Sequence, residues 1–125
     1  MRTIIRRAAL TAVTLTAALA APAAADAYSG SFQTPTGNIV CQYATGYSGY
    51  MACDVNSARV TYQMSRRGYP RVYGMGPALR GDWTLRYGRK VTVGSFSCTS
   101  RYDGLTCRNR GGHGFFVAVQ ARYRW

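Results

Sequence analysis

Ile39-Val40-Cys41-Gln42-Tyr43, then Ala44-Thr45-Gly46-Tyr47-Ser48-Gly49, then Tyr50-Met51-Ala52-Cys53-Asp54-Val55 is the stretch that decides the fold. Apolar side chains fall at Ile39, Cys41 and Tyr43 and again at Met51, Cys53 and Val55, the period-two repeat of a strand with one buried face. The polar, glycine-bearing middle lets the chain reverse, so the runs form a hairpin with Cys41 opposite Cys53. A second ribbon has the same design. Phe96 and Cys98, then Leu105 and Cys107, flank Arg101-Tyr102-Asp103-Gly104, a four-residue loop in which Gly104 takes positive φ without steric cost. Cys98 then faces Cys107. Of the three connectivities open to four cysteines, the alternation selects the local one, Cys41 with Cys53 and Cys98 with Cys107. Each closes a short loop, for which chain entropy assigns roughly 3 kcal/mol. A zinc site needs closely spaced pairs such as C-x-x-C, and neither spacing fits one.

Upstream of the first ribbon the chain begins with Arg2, Arg6 and Arg7, an apolar run from Ala8 to Ala20, Pro22, and the triplet Ala23-Ala24-Ala25. Charged head, apolar middle and small-residue site are the parts of a secretory signal peptide, here residues 1–25. The run is too short for the roughly 20 residues of a membrane-spanning helix, and no comparable stretch follows. Ile5 before Arg6-Arg7 and Ala8-Ala9-Leu10 after them favour an ordinary positive head over a twin-arginine signal, hence the general secretory route. Cleavage after Ala25 leaves residues 26–125 as one domain, secreted to the periplasm or beyond. That compartment is oxidising, which lets disulfides persist.

Removing the leader takes away three cations and no acid, so the formal charge falls from +12 to +9. All remaining cations but Lys90 are arginine, whose planar fork grips phosphate or carboxylate at two points and stacks on rings. Anionic partners follow: an anionic polysaccharide, a cell-wall polymer or nucleic acid. The best contact surface is Arg66-Arg67-Gly68-Tyr69-Pro70-Arg71-Val72-Tyr73, where cations alternate with rings, and Arg122 and Arg124 extend its field. Candidate anion-binding residues are thus Arg66, Arg67, Tyr69, Arg71, Tyr73, Arg122 and Arg124. No cofactor or metal is implied. Without glutamate, a catalytic alternative leans on His113, the only histidine, with Asp103 and Ser97 or Ser100 as a triad for a small secreted hydrolase. Sequence spacing gives that triad no support, and His113 between Gly112 and Gly114 reads as structural. A protein-binding inhibitor or scaffold is a further alternative. Pro35-Thr36-Gly37-Asn38 reads as a turn.

The aromatics and all 14 glycines follow the leader, and no stretch sustains a helical period. The expected fold is all-β, a compact antiparallel sheet or small barrel of about six to eight short strands stapled by two disulfides. Trp83, Leu85 and Tyr87 alternate, Gly88-Arg89-Lys90 turns, and Val91-Thr92-Val93 returns, which reads as a hairpin. The apolar phase then shifts from odd to even at Gly94, which reads as a β-bulge at Gly94-Ser95. Phe115 to Trp125 reads as one long strand, Arg59 to Met64 as a short one, and Arg66 to Asp82, rich in glycine and proline, as a loop.

Phe32-Gln33-Thr34-Pro35-Thr36-Gly37-Asn38-Ile39-Val40-Cys41, Cys53-Asp54-Val55, Leu85-Arg86-Tyr87-Gly88, Cys98-Thr99-Ser100, Gly104-Leu105-Thr106-Cys107 and Gly112-His113-Gly114-Phe115 occur in order. The series resembles a family of small secreted bacterial proteins of uncharacterised function. Its members carry a Phe-x-Thr/Ser-Pro-Ser/Thr-Gly-Asn-Ile-x-Cys start and a Gly-His-Gly-Phe end. Many members have a further central pair of cysteines, and this chain lacks both. Their joint absence implies that they bond to each other, which leaves the outer four to pair as above. The chain departs most from the family between Asn56 and Trp83. The resemblance implies export and a two-bridge frame, and no activity. The intact mass of the exported protein is expected to fit a chain starting at Asp26 with all four thiol hydrogens lost. A mass retaining any of them contradicts the pairing.

Overall fold

The alternation of the two cysteine ribbons becomes paired strands in the computed structural model, which describes residues 11–12, 27–76 and 79–125. The expected leader lies outside the described residues apart from Thr11 and Ala12. Six strands form the first sheet: β1 (Ser29–Gln33), β2 (Ile39–Ala44), β3 (Tyr50–Val55), β4 (Val60–Ser65), β5 (Arg71–Gly74) and β6 (Trp83–Thr84). Their spatial order is β5-β4-β3-β2-β1-β6. β7 (Lys90–Val93), β8 (Phe96–Arg101), β9 (Gly104–Arg108), β10 (Gly114–Val117) and β11 (Arg122–Arg124) form the second, in the order β11-β10-β9-β8-β7. No described residue is helical.

Cys41 pairs with Cys53 across β2 and β3, Cys98 with Cys107 across β8 and β9, and both pairs are disulfides. The side chains that share their faces, among them Tyr43, Met51, Val55, Phe96, Leu105, Phe115 and Val117, are buried in a single core. The two sheets meet through it. Tyr62 of β4 packs on Phe115 of β10 with ring centroids 5.6 Å apart, and the sulfurs of Cys41, Cys53 and Cys107 lie within 4.8 Å of one another. The all-β, disulfide-stapled class holds, as a two-layer arrangement of eleven short strands rather than one sheet or barrel of six to eight.

Four local expectations are corrected. Trp83 to Val93 is not a hairpin: β6 runs parallel to β1 in the first sheet, whereas β7 pairs with β8 in the second. Trp83 packs on Phe32 at 5.2 Å, and Leu85 donates its N–H to the Gln33 carbonyl and is buried, so the chain crosses between the sheets beyond it. Gly94-Ser95 is a two-residue hairpin turn rather than a bulge, with Val93 opposite Phe96. Cross-strand partners share a face, so an odd apolar series continues as an even one. Gly94 holds φ at +56°, as the first central residue of a type II′ turn requires.

The carboxy-terminal run folds back on itself, β10 pairing with β11 through a turn closed by Ala118 N–H to the Ala121 carbonyl. A single strand would leave the free edge of β10 unpaired; the return gives its backbone groups partners and stacks Tyr123 on Phe116. Lastly, Arg66 to Asp82 contains β5, which covers the edge of β4.

Gly104 is required by close approach as well as by its φ of +154°. A Cβ there would sit 2.6 Å from the Phe116 ring and 2.7 Å from the Val117 carbonyl oxygen. Gly104→Ala is expected to cost about 1–3 kcal/mol in denaturant unfolding, through overpacking. Gly74→Ala, where a Cβ meets nothing within 4 Å, is expected to change it by less than about 0.5 kcal/mol. Equal effects would contradict this packing.

Candidate functional site

Asn109 builds a surface on which arginine and aromatic side chains are in contact. Its Nδ2 donates to the carbonyls of Ser65 at 3.0 Å and Gly68 at 2.9 Å, capturing the turn between β4 and β5. Its Oδ1 accepts the N–H groups of Gly111 at 2.9 Å and His113 at 3.1 Å, shaping the loop between β9 and β10. Arg110 N–H adds a bond to the Arg66 carbonyl. One amide therefore ties the first sheet to the second, using the aptitude of asparagine for bonding nearby backbone.

On this frame the rings and cations form two groups, one on each face of β11, which meet at the Trp125 carbonyl. The Arg124 guanidinium stands 5.1 Å from the Tyr69 ring centroid, and Tyr69 meets the His113 ring edge-on at 5.7 Å. His113 Nδ1 lies 3.3 Å from the Trp125 carbonyl oxygen. Arg108 covers the Trp125 ring at 5.3 Å, and Tyr123 lies between Trp125 at 5.8 Å and Phe116 at 5.2 Å. Arg67, Arg108, Arg110 and Arg124 are exposed. The acidic residues described lie elsewhere: Asp54 on β3, Asp82 before β6, and Asp103 in the turn between β8 and β9. A guanidinium over a ring can still turn donors toward an anion while the ring supplies a stacking face, although one amino group of Arg124 is spent on the Pro70 carbonyl.

The candidate residues divide between three settings. Tyr69 and Arg124 are brought together, and Arg124 also donates to the Pro70 carbonyl at 2.8 Å. Arg67 lies beside the loop, its carbonyl against Gly111. Arg66 and Arg122 are tied to their own surroundings: half-buried Arg66 donates through Nε to Ser95 Oγ at 3.2 Å, and exposed Arg122 donates to the carbonyls of Ala118 and Val119, bracing the β10–β11 turn. Arg71 and Tyr73 alternate with Val72 and occupy the other face of β5. There Tyr73 donates to Gln63 Oε1 at 2.6 Å, and burial, then Asp54 and Tyr50, push its phenol above the ordinary value. Arg108, Asn109, Arg110, Tyr123 and Trp125 were not legible as site residues. Asn109 two positions before Gly111-Gly112 was the available signal, that of an asparagine-led turn.

The drawn triad is not assembled. Ser100 is fully buried, Asp103 precedes β9, and His113 follows its far end. Cys41, Cys53 and Cys107 form a group with metal-ligand spacing, but their sulfurs are held in disulfides.

A family model described as a family of unknown function (DUF6636) matches residues 52–124, from within β3 to the end of β11. No curated protein and no solved structure matches the chain. Asn109→Ala is expected to cost about 1–3 kcal/mol by stranding backbone groups, and to raise hydrogen exchange at the Gly111 and His113 amides more than at Cys53 and Cys107. Unchanged protection in the loop would show that Asn109 does not hold it.

Proposed function

The chain belongs to this family of unknown function, and from its own geometry we propose that it is an exported module that holds anionic polymers on the Tyr69, Arg108, Arg110, Tyr123, Arg124 and Trp125 surface. The observation that carries the reading is the pair of guanidinium groups on aromatic rings, Arg124 on Tyr69 and Arg108 on Trp125, on the two sides of β11 with no described acid beside them. Such a surface suits a flexible chain of phosphates or carboxylates, as in a charged polysaccharide, a cell-wall polymer or nucleic acid: arginine grips the anion while the ring packs on the flat part of the repeating unit.

Export is supported by the leader pattern of residues 1–25 and by the two disulfides. No helix among the described residues is long and apolar enough to cross a membrane.

Neutralising a phosphate releases condensed counterions, so affinity for single-stranded DNA should fall as salt rises, with a log–log slope of about −0.7 per phosphate contacted. Fluorescence titrations across salt are expected to give such a slope, reduced by about 0.7 for each of Arg108→Gln and Arg110→Gln. A charged polysaccharide measured in parallel decides which polymer is preferred. Affinity for both that is insensitive to salt between about 50 and 200 mM sinks the proposal.

A further inference from the structure

At the other end of β9 from Asn109, three turns and Tyr87 enclose an open cleft of about 220 Å³. Its base is apolar, formed by Ile39 and Ala118, both nearly fully buried. Tyr87 and Tyr102 form its aromatic wall, with ring centroids 5.6 Å apart at 63°. Tyr102 is 90% exposed at the tip of the β8–β9 turn, where it adds almost nothing to the core. A large ring held in water beside a cleft offers a stacking face.

The polar rim states what could lie there. Arg101 and Asp103 supply one positive and one negative charge, so the cleft has no net preference for an ion. Gln120 carries both a donor and an acceptor, the complement of hydroxyl groups, which also do both, and Asn38 lies beside it. Ser57 N–H donates to Asn38 Oδ1 at 2.9 Å and so orients this amide. The Asn38 Nδ2 is buried and finds no hydrogen-bond partner among the described residues. A donor closed to solvent is out of reach of a molecule in the cleft, so hydrogen bonds to an occupant fall to Arg101, Asp103 and Gln120. The volume falls below the roughly 300–1,000 Å³ of sites for drug-sized ligands, which limits the occupant to about one ring.

We propose that this cleft binds a single uncharged pyranose unit, its C–H face on Tyr102 and its hydroxyls on Arg101, Asp103 and Gln120. The site lies across the molecule from the arginine surface and does not depend on the anionic-polymer reading.

The test is an amide NMR titration of the oxidised protein with glucose, galactose, mannose and N-acetylglucosamine, each to about 50 mM, well above a millimolar Kd. At least one sugar is expected to give saturable shifts centred on Asn38, Arg101 to Gly104 and Gln120. Tyr102→Ala should weaken them by about tenfold or more, one stacked ring being worth that much, while Tyr69→Ala leaves them unchanged. The inference is overturned by the absence of saturable shifts with all four sugars, by an unaltered response in Tyr102→Ala, or by shifts centred on Tyr69 and Trp125. Preference for glucuronate over glucose by more than about tenfold, read against the 1.4 kcal/mol that a decade represents, overturns the uncharged assignment.

Discussion

Two disulfides set back to back, one in each sheet, are what the rest of the structure depends on. The sulfurs of Cys41, Cys53 and Cys107 lie within 4.8 Å of one another at the centre of the apolar layer. A domain of this size buries a smaller share of its surface than a large one and has little margin from its core alone. Each crosslink restricts the unfolded chain, and it also pins the register of its ribbon. Since a one-residue slip would turn every side chain of a strand to the other face, a fixed register at Cys41–Cys53 fixes which faces of β2 and β3 are buried. The same holds for β8 and β9.

What was legible in the residues follows from that local character. Both cysteine ribbons are marked by period-two alternation around a turn, and both form with the expected pairs. The Trp83 to Val93 alternation was equally clear and still misled, because two edge strands in different sheets alternate just as a hairpin does. Only the packing of Trp83 on Phe32 and the burial of Leu85 distinguish them. The fold-back at Ala118 to Ala121 contains none of the usual turn formers, glycine, proline, asparagine or aspartate, and β5 was masked by the proline and glycines around it. Most of the candidate surface was hidden for a different reason. It joins residues near 68, 109 and 124, and their proximity follows from β4 and β10 lying on facing sheets rather than from any spacing along the chain.

Arginine has two physical tasks along one side of the molecule. β5 and β11 are the outermost strands of their sheets, and each has an unpaired edge. Arg71, Arg122 and Arg124 place solvated cations along them, which opposes pairing with a second chain. Arg124 also bonds the Pro70 carbonyl and covers Tyr69, so one side chain joins the two sheets while presenting charge outward. Stability and the proposed recognition therefore fall on the same residues there, whereas Tyr102 at the other end contributes to no core.

The sealing of the sulfurs governs the order in which the protein must mature. All four cysteines are inaccessible once the layers close, so an oxidant has to reach them while the ribbons are still open. Partners only 12 and 9 positions apart along the chain meet by short loop closure, the quickest of the long-lived contacts to arise. Layers that docked with thiols still reduced would set Cys53 against Cys107 and invite a bridge between the sheets, a compact isomer with the wrong crosslinks. Correct maturation is thus a race in which each ribbon must close before the two halves find each other.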